Sequence, residues 1–337
     1  MTGLSNITDT GETEITQEIR SEGTRITLQN REIRLVAMPE WGGKIVSIER
    51  LESGHEFLLQ PAHLSRARNN RFEDHAFGFD DCFPTVTACE YPHGPFQGTM
   101  LPDHGELWAR PWKHQASGGH LLLSVKATAL PCTFQKRIAL RGDTVLCEYE
   151  LESLSDHPFY YLWSAHPLLN VREGCNIILG SGVAQVMVGG SKGKRLGQPG
   201  DLCSWPVARI EGREIDLSVI GPVNNAAEKL FAGQLLQGSC SVHDPVADET
   251  ISLHFDTTQT PYLGIWLCQG GWPEDSPGHF TAALEPCTGR PDSLAEAIER
   301  QECAMVLPRQ KNRWSMQIRL HRGRPSPSPI SAEGWLR

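Results

Sequence analysis

A chain of 337 residues with net charge −9 and no basic stripe is not built around nucleic acid or an anionic membrane. Its 39% hydrophobic content supports a sizeable core, and β-sandwiches and barrels reach this length as single domains. Ten scattered cysteines without a C-x-x-C pair argue against a disulfide framework or zinc knuckle and for reduced, buried thiols.

Residues 1–24 are polar and acidic, lack the apolar stretch of a signal peptide, and read as a flexible tail. No later run is long enough to span a bilayer, so a cytoplasmic protein is expected. Short β-like runs then follow, separated by Gly, Pro, Asn and Asp. They are Thr24–Leu28, Ile33–Met38, Lys44–Leu51, Leu121–Ala127, Phe134–Leu140, Thr144–Leu151, Thr250–Phe255 and Trp314–Leu320. In Thr144–Leu151 the residues Val145, Cys147, Tyr149 and Leu151 alternate with Thr144, Leu146, Glu148 and Glu150, the pattern of a strand with one face in the core. Arg141-Gly142-Asp143 between two such runs predicts a hairpin turn. The best helix spans Ser293–Gln301, with Asp292 or Ser293 as cap. Many strands and almost no helix predict an all-β sandwich or barrel. No composition shift marks a linker, which leaves one domain over residues 25–322 and a second flexible tail over 323–337.

Two motifs fail on context. Gly189-Gly190-Ser191-Lys192-Gly193 spells a nucleophile elbow, but the following Gly197 and Pro199 cannot carry the helix that motif needs. The same stretch is no P-loop, because Val188 and Arg195 replace the first glycine and the Ser/Thr. Lys192, Lys194 and Arg195 read as a solvated loop or as contacts for an anionic group. Thirteen histidines offer neither an H-x-H pair nor an H-E-x-x-H helix, so no metal site is expected.

Reactive residues sit among glycines, prolines and aromatics in four segments: Phe77–Thr85, Leu101–Trp112, Trp163–Val171 and Ala283–Leu294. With Met38-Pro39-Glu40-Trp41-Gly42-Gly43-Lys44-Ile45 they resemble, in order, the aldose 1-epimerase (galactose mutarotase-like) family. Leu101-Pro102-Asp103-His104-Gly105 is similar to its first histidine loop, His166-Pro167 to its second, and Leu284-Glu285-Pro286 to its glutamate segment. The resemblance implies a two-sheet super-β-sandwich and a cofactor-free C1 epimerase of a sugar, an isomerase working as monomer or homodimer.

Anomer interconversion needs the C1 hydroxyl proton removed while the ring oxygen is protonated, so one carboxylate and one imidazole suffice. Glu285 is cast as base at O1, His166 as acid at O5, and His104 as a second donor on the ring-oxygen side. For Asp80 and Asp81, caps or turn residues compete with contacts to sugar hydroxyls. Arg71 matches an arginine near the sugar or is a surface residue. Trp266 and Trp272 offer stacking faces or core packing. Phe79-Asp80-Asp81 stand where phosphosugar epimerases carry an arginine turn, and acidic groups there would repel phosphate. Asp244 is the nearest candidate for an aspartate expected between His166 and Glu285. The competing class is a carbohydrate-binding or sensing protein that keeps the pocket without the chemistry. A polysaccharide-cleaving enzyme ranks behind both.

Overall fold

All eight runs expected as strands form strands, and the observed ends lie within three residues of the expected ones. The computed structural model describes residues 13–61, 71–274 and 278–325. Strand makes up 52% and helix 6%, which settles the all-β class. Two large antiparallel sheets, of twelve and eight strands, carry the fold. The eight-stranded sheet holds the predicted hairpin, where Arg141 pairs with Thr144 around Gly142-Asp143. The helix runs over Leu294–Glu299, and it is Ser293 rather than Asp292 that caps it, accepting from Glu296 N.

The sheets face each other across one large apolar cluster. Tyr149 and Trp314 stack with centroids 5.6 Å apart, and Trp163 meets both at 4.6 and 5.1 Å. Inside this aromatic interior lies an ion pair, with Lys136 Nζ 2.8 Å from Asp81 Oδ2 and Trp163 Nε1 donating to Asp81 Oδ1 at 3.1 Å.

One boundary needs correcting. Glu14–Arg20, expected within the N-terminal tail, is a strand paired residue for residue with Gly23–Gln29. It is exposed on both faces except at Ile15, so the alternation that reveals a strand is absent from its sequence. The rest of the expected tails, residues 1–12 and 326–337, lies outside the described residues. Among the described residues no helix is long and apolar enough to cross a membrane.

Candidate active site

Five adjacent strands of the twelve-stranded sheet build the floor of the site: Phe79–Cys82, Ser164–Pro167, Phe280–Cys287, Tyr262–Gln269 and Ala226–Ala232. Because side chains alternate along a strand, register decides which residues share a face. Lys229 lies opposite Trp266 and Trp266 opposite Ala283; two residues along, Phe231, Gly264 and Glu285 form the next row. The face turned away from the eight-stranded sheet therefore carries Lys229, Gly264, Trp266 and Glu285, with His166 on the neighbouring strand.

These side chains bound a cavity of about 320 Å³, walled further by Phe72, His104, Leu168, Trp272 and Asp292. Glu285, fully buried, accepts from Lys229 Nζ at 2.5 Å and from Ser164 Oγ at 3.3 Å, both on Oε2. Its other oxygen has no hydrogen-bond partner and lies 3.9 Å from His166 Nε2. His166 Nδ1 is likewise buried and without a partner. Buried polar atoms left open beside a cavity are what a ligand would satisfy.

Gly264 makes room for this arrangement. A Cβ there would stand 3.0 Å from Glu285 Oε2 and 3.4 Å from Lys229 Nζ. Gly264→Val is expected to push the carboxylate out of line with the fold retained, which a crystal structure of the variant alongside circular dichroism would check; a carboxylate left in place would show that Gly264 does not set its position.

The walls come from three loops tied to one another. His104 adopts φ 54°, a left-handed conformation costly for a non-glycine residue and common at functional sites. Gly105 follows at φ 71°, where a Cβ would come 2.0 Å from Phe83 O, so only glycine fits. His104 N donates to Val86 O, and Val86 N and Thr87 N donate to Asp292 O. The His104 ring stacks on Phe72 at 3.6 Å, and its Nδ1 lies 2.6 Å from Asp103 Oδ2. It stands perpendicular to the His166 ring, with centroids 5.4 Å apart.

Charge in the site is balanced unevenly. Burial alone would drive Lys229 toward its neutral amine, but Asp292 at 3.3 Å and Glu285 outweigh it and hold the ammonium above the usual lysine range. Burial pushes Asp292 up, with Lys229 pulling the other way. Burial, reinforced by His104, Lys229 and Lys44, drives His166 well below the ordinary histidine range, so it is neutral at pH 7.

The structure thus brings His104, His166, Glu285, Trp266 and Trp272 together at one cavity. It corrects the assignment of Asp80 and Asp81 to sugar contact. Both are fully buried, Asp80 pairing with Lys44 and Asp81 with Lys136, and neither lines the cavity. The charges once held to repel phosphate are therefore neutralised internally. Arg71 faces the neighbouring groove rather than the cavity, with Nε 3.5 Å from Glu73. Asp244 pairs with Arg172 at 2.7 Å and accepts from Val246 N and Ala247 N, away from the site. Ser191 accepts from Leu196 N as a turn cap, Arg195 is taken by Glu228, and Lys192 by Asn225 and Gly271 O. Lys229 and Asp292 are the residues sequence reasoning missed. Among the described residues no three His, Cys, Asp or Glu side chains gather as a metal site.

No protein-family model matches the sequence, and no curated protein matches it. Solved structures match its fold over most of the chain. The Slr1438 protein of Synechocystis sp. PCC 6803 shares 18% identity, covering 95% of this chain and 99% of its own, with TM-score 0.63. A galactose mutarotase related enzyme from Lactobacillus acidophilus shares 15%, covering 88% and 97%, with TM-score 0.64. A galactose mutarotase-like protein from Lactobacillus casei shares 17%, covering 88% and 100%, with TM-score 0.61. At such identities the likeness defines the fold: this is a galactose mutarotase-like β-sandwich, as the motif order implies.

Proposed function

We propose that this protein interconverts the α and β anomers of a neutral aldose by acid/base opening of the ring. The observation that carries this reading is convergence: the unpartnered Glu285 Oε1 and the His166 imidazole meet 3.9 Å apart at the floor of one cavity, below His104 and two tryptophans.

Glu285 Oε1 takes the proton from the C1 hydroxyl, the C1–O5 bond breaks as the C1 carbonyl forms, and O5 receives a proton from an imidazole. Rotation about C1–C2 and reversal of these transfers close the other anomer. In this proposal the acid role expected of His166 passes to His104. Burial keeps the His166 ring neutral, and the Asp103 carboxylate on Nδ1 orients the His104 ring, leaving Nε2 for O5. His166 then hydrogen-bonds the reacting oxygens.

Among the described residues, Glu73, Asp103, Glu285 and Asp292 line the cavity against one cation, Lys229. A neutral sugar suits that balance better than a phosphosugar. The test follows freshly dissolved α-sugars to anomeric equilibrium by proton NMR. Acceleration of neutral aldoses and not of their 6-phosphates is expected; the reverse preference would overturn the substrate class. One observation favours the second reading, a carbohydrate-binding protein without turnover: Lys229 already occupies one oxygen of the carboxylate that would act as base. Sugar binding with no acceleration of any sugar would establish it.

A further inference from the structure

The twelve-stranded sheet ends on Glu14–Arg20, and among the described residues no strand lies along its outer side. An unpaired strand edge is a ready template for another strand. The face shared by Ile15, Gln17 and Ile19 is continuous with the buried Leu28, Ile26 and Thr24 of the next strand. Ile15 packs partly on the core, yet Ile19 on that same face is 83% exposed. The core-facing side of the sheet thus runs out past its cover.

The seven residues Glu-Ile-Thr-Gln-Glu-Ile-Arg are their own antiparallel complement about Gln17. Across a two-fold axis at Gln17, normal to the sheet, Glu14 faces Arg20 of the second copy at both ends. Ile15 faces Ile19, Thr16 faces Glu18, and Gln17 faces itself. Residues opposite one another in an antiparallel pair share a face, so only a register centred on a residue keeps the core-facing side continuous. Centring on Thr16 sets Glu14 against Glu18, and centring on Glu18 sets that glutamate against itself. Both shifts also lose the isoleucine pairs, which in the Gln17 register give the uncovered Ile19 an apolar neighbour. Among the described residues of the single chain, Arg20 pairs with its own exposed Glu18, a surface contact that is readily exchanged. Charge, apolar pairing and strand length select the same register.

We propose that Glu14–Arg20 is the interface of a two-fold homodimer in which the sheets of two copies continue as one. A seven-residue strand buries little surface, so the association is weak and concentration-dependent.

Cysteine trapping tests the register. Gln17→Cys places a cysteine opposite itself at about 4.5–5.5 Å between Cα atoms, within disulfide reach. Arg20→Cys leaves the two thiols about 20 Å apart, a distance set by the rise of six residues. Mild oxidation is expected to cross-link Gln17→Cys and to leave Arg20→Cys and the native chain monomeric on non-reducing gels. By light scattering, Glu14→Arg is expected to raise the dimer dissociation constant about tenfold, and the exchanged pair Glu14→Arg with Arg20→Glu to restore it. A native chain monomeric at every concentration would overturn the proposal. Cross-linking of Arg20→Cys as fast as Gln17→Cys, or a dimer indifferent to Glu14→Arg, would do the same.

Discussion

Glutamine in place of Glu285 is expected to slow anomer interconversion by about 10²- to 10⁴-fold, the range associated with a single positioned base. The substitution keeps the side chain's shape at a position fully buried in the sheet. An amide oxygen can still accept from Lys229 and Ser164, whose bonds to Oε2 hold the side chain in place. What disappears is the oxygen facing His166 as a proton acceptor. Sugar binding is therefore expected to persist while turnover is lost, and line broadening of the sugar signals would report that binding. Melting should come earlier too, because Lys229 would keep only Asp292 as a full counter-charge. A variant that binds sugar and retains more than about a tenth of the rate would remove Glu285 from the base role.

A second large effect is expected far from the chemistry. Asp81 and Lys136 are both wholly buried, joined at 2.8 Å across the two sheets. Asp81→Leu would leave an ammonium inside the aromatic interior formed by Tyr149, Trp163 and Trp314, and Lys136→Met would leave a buried carboxylate with the Trp163 indole N–H but no counter-charge at 2.8 Å. Each single change is expected to cost about 3–5 kcal/mol of stability, because an uncompensated buried charge is worse than none. Removing both charges together should recover most of the loss. Urea unfolding of the two single variants and the double variant measures this directly. A double variant no more stable than the singles would show that the pair contributes more than its mutual neutralisation.

The fold was legible wherever one face of a strand is wet. Thr144–Ser153 alternates because its polar side meets solvent, and it was read almost to the residue. The same logic fails at Glu14–Arg20, where neither face is covered. In the site, His104, His166 and Glu285 stood out because each sits beside glycine or proline on an irregular turn or strand end. Lys229 gave no such signal. It lies in Ala226–Ala232, where Glu228-Lys229 looks like a solvated pair, yet every residue of that strand is buried. Asp292 shares with Ser293 the local signal of a helix cap; Ser293 is the cap, and nothing local marks Asp292 as a cavity residue. Asp80-Asp81 misled for a related reason: adjacent acids look like a turn, and their lysine partners stand 36 and 55 residues away. Local pattern reveals which side chains leave the backbone together, and it does not reveal which distant charges meet.

The hydrogen bonds from His104 N to Val86 O, and from Val86 N and Thr87 N to Asp292 O, join segments from three separate parts of the chain. Anyone reshaping the cavity by grafting loops from a structural neighbour would therefore find that the segments around 85–87, 101–105 and 290–294 do not exchange one at a time. A single foreign loop would reach the cavity wall with its backbone partners missing, leaving donors and acceptors stranded beside the cavity. The practical unit for redesign is the set of three loops moved together, with the sheet beneath left untouched.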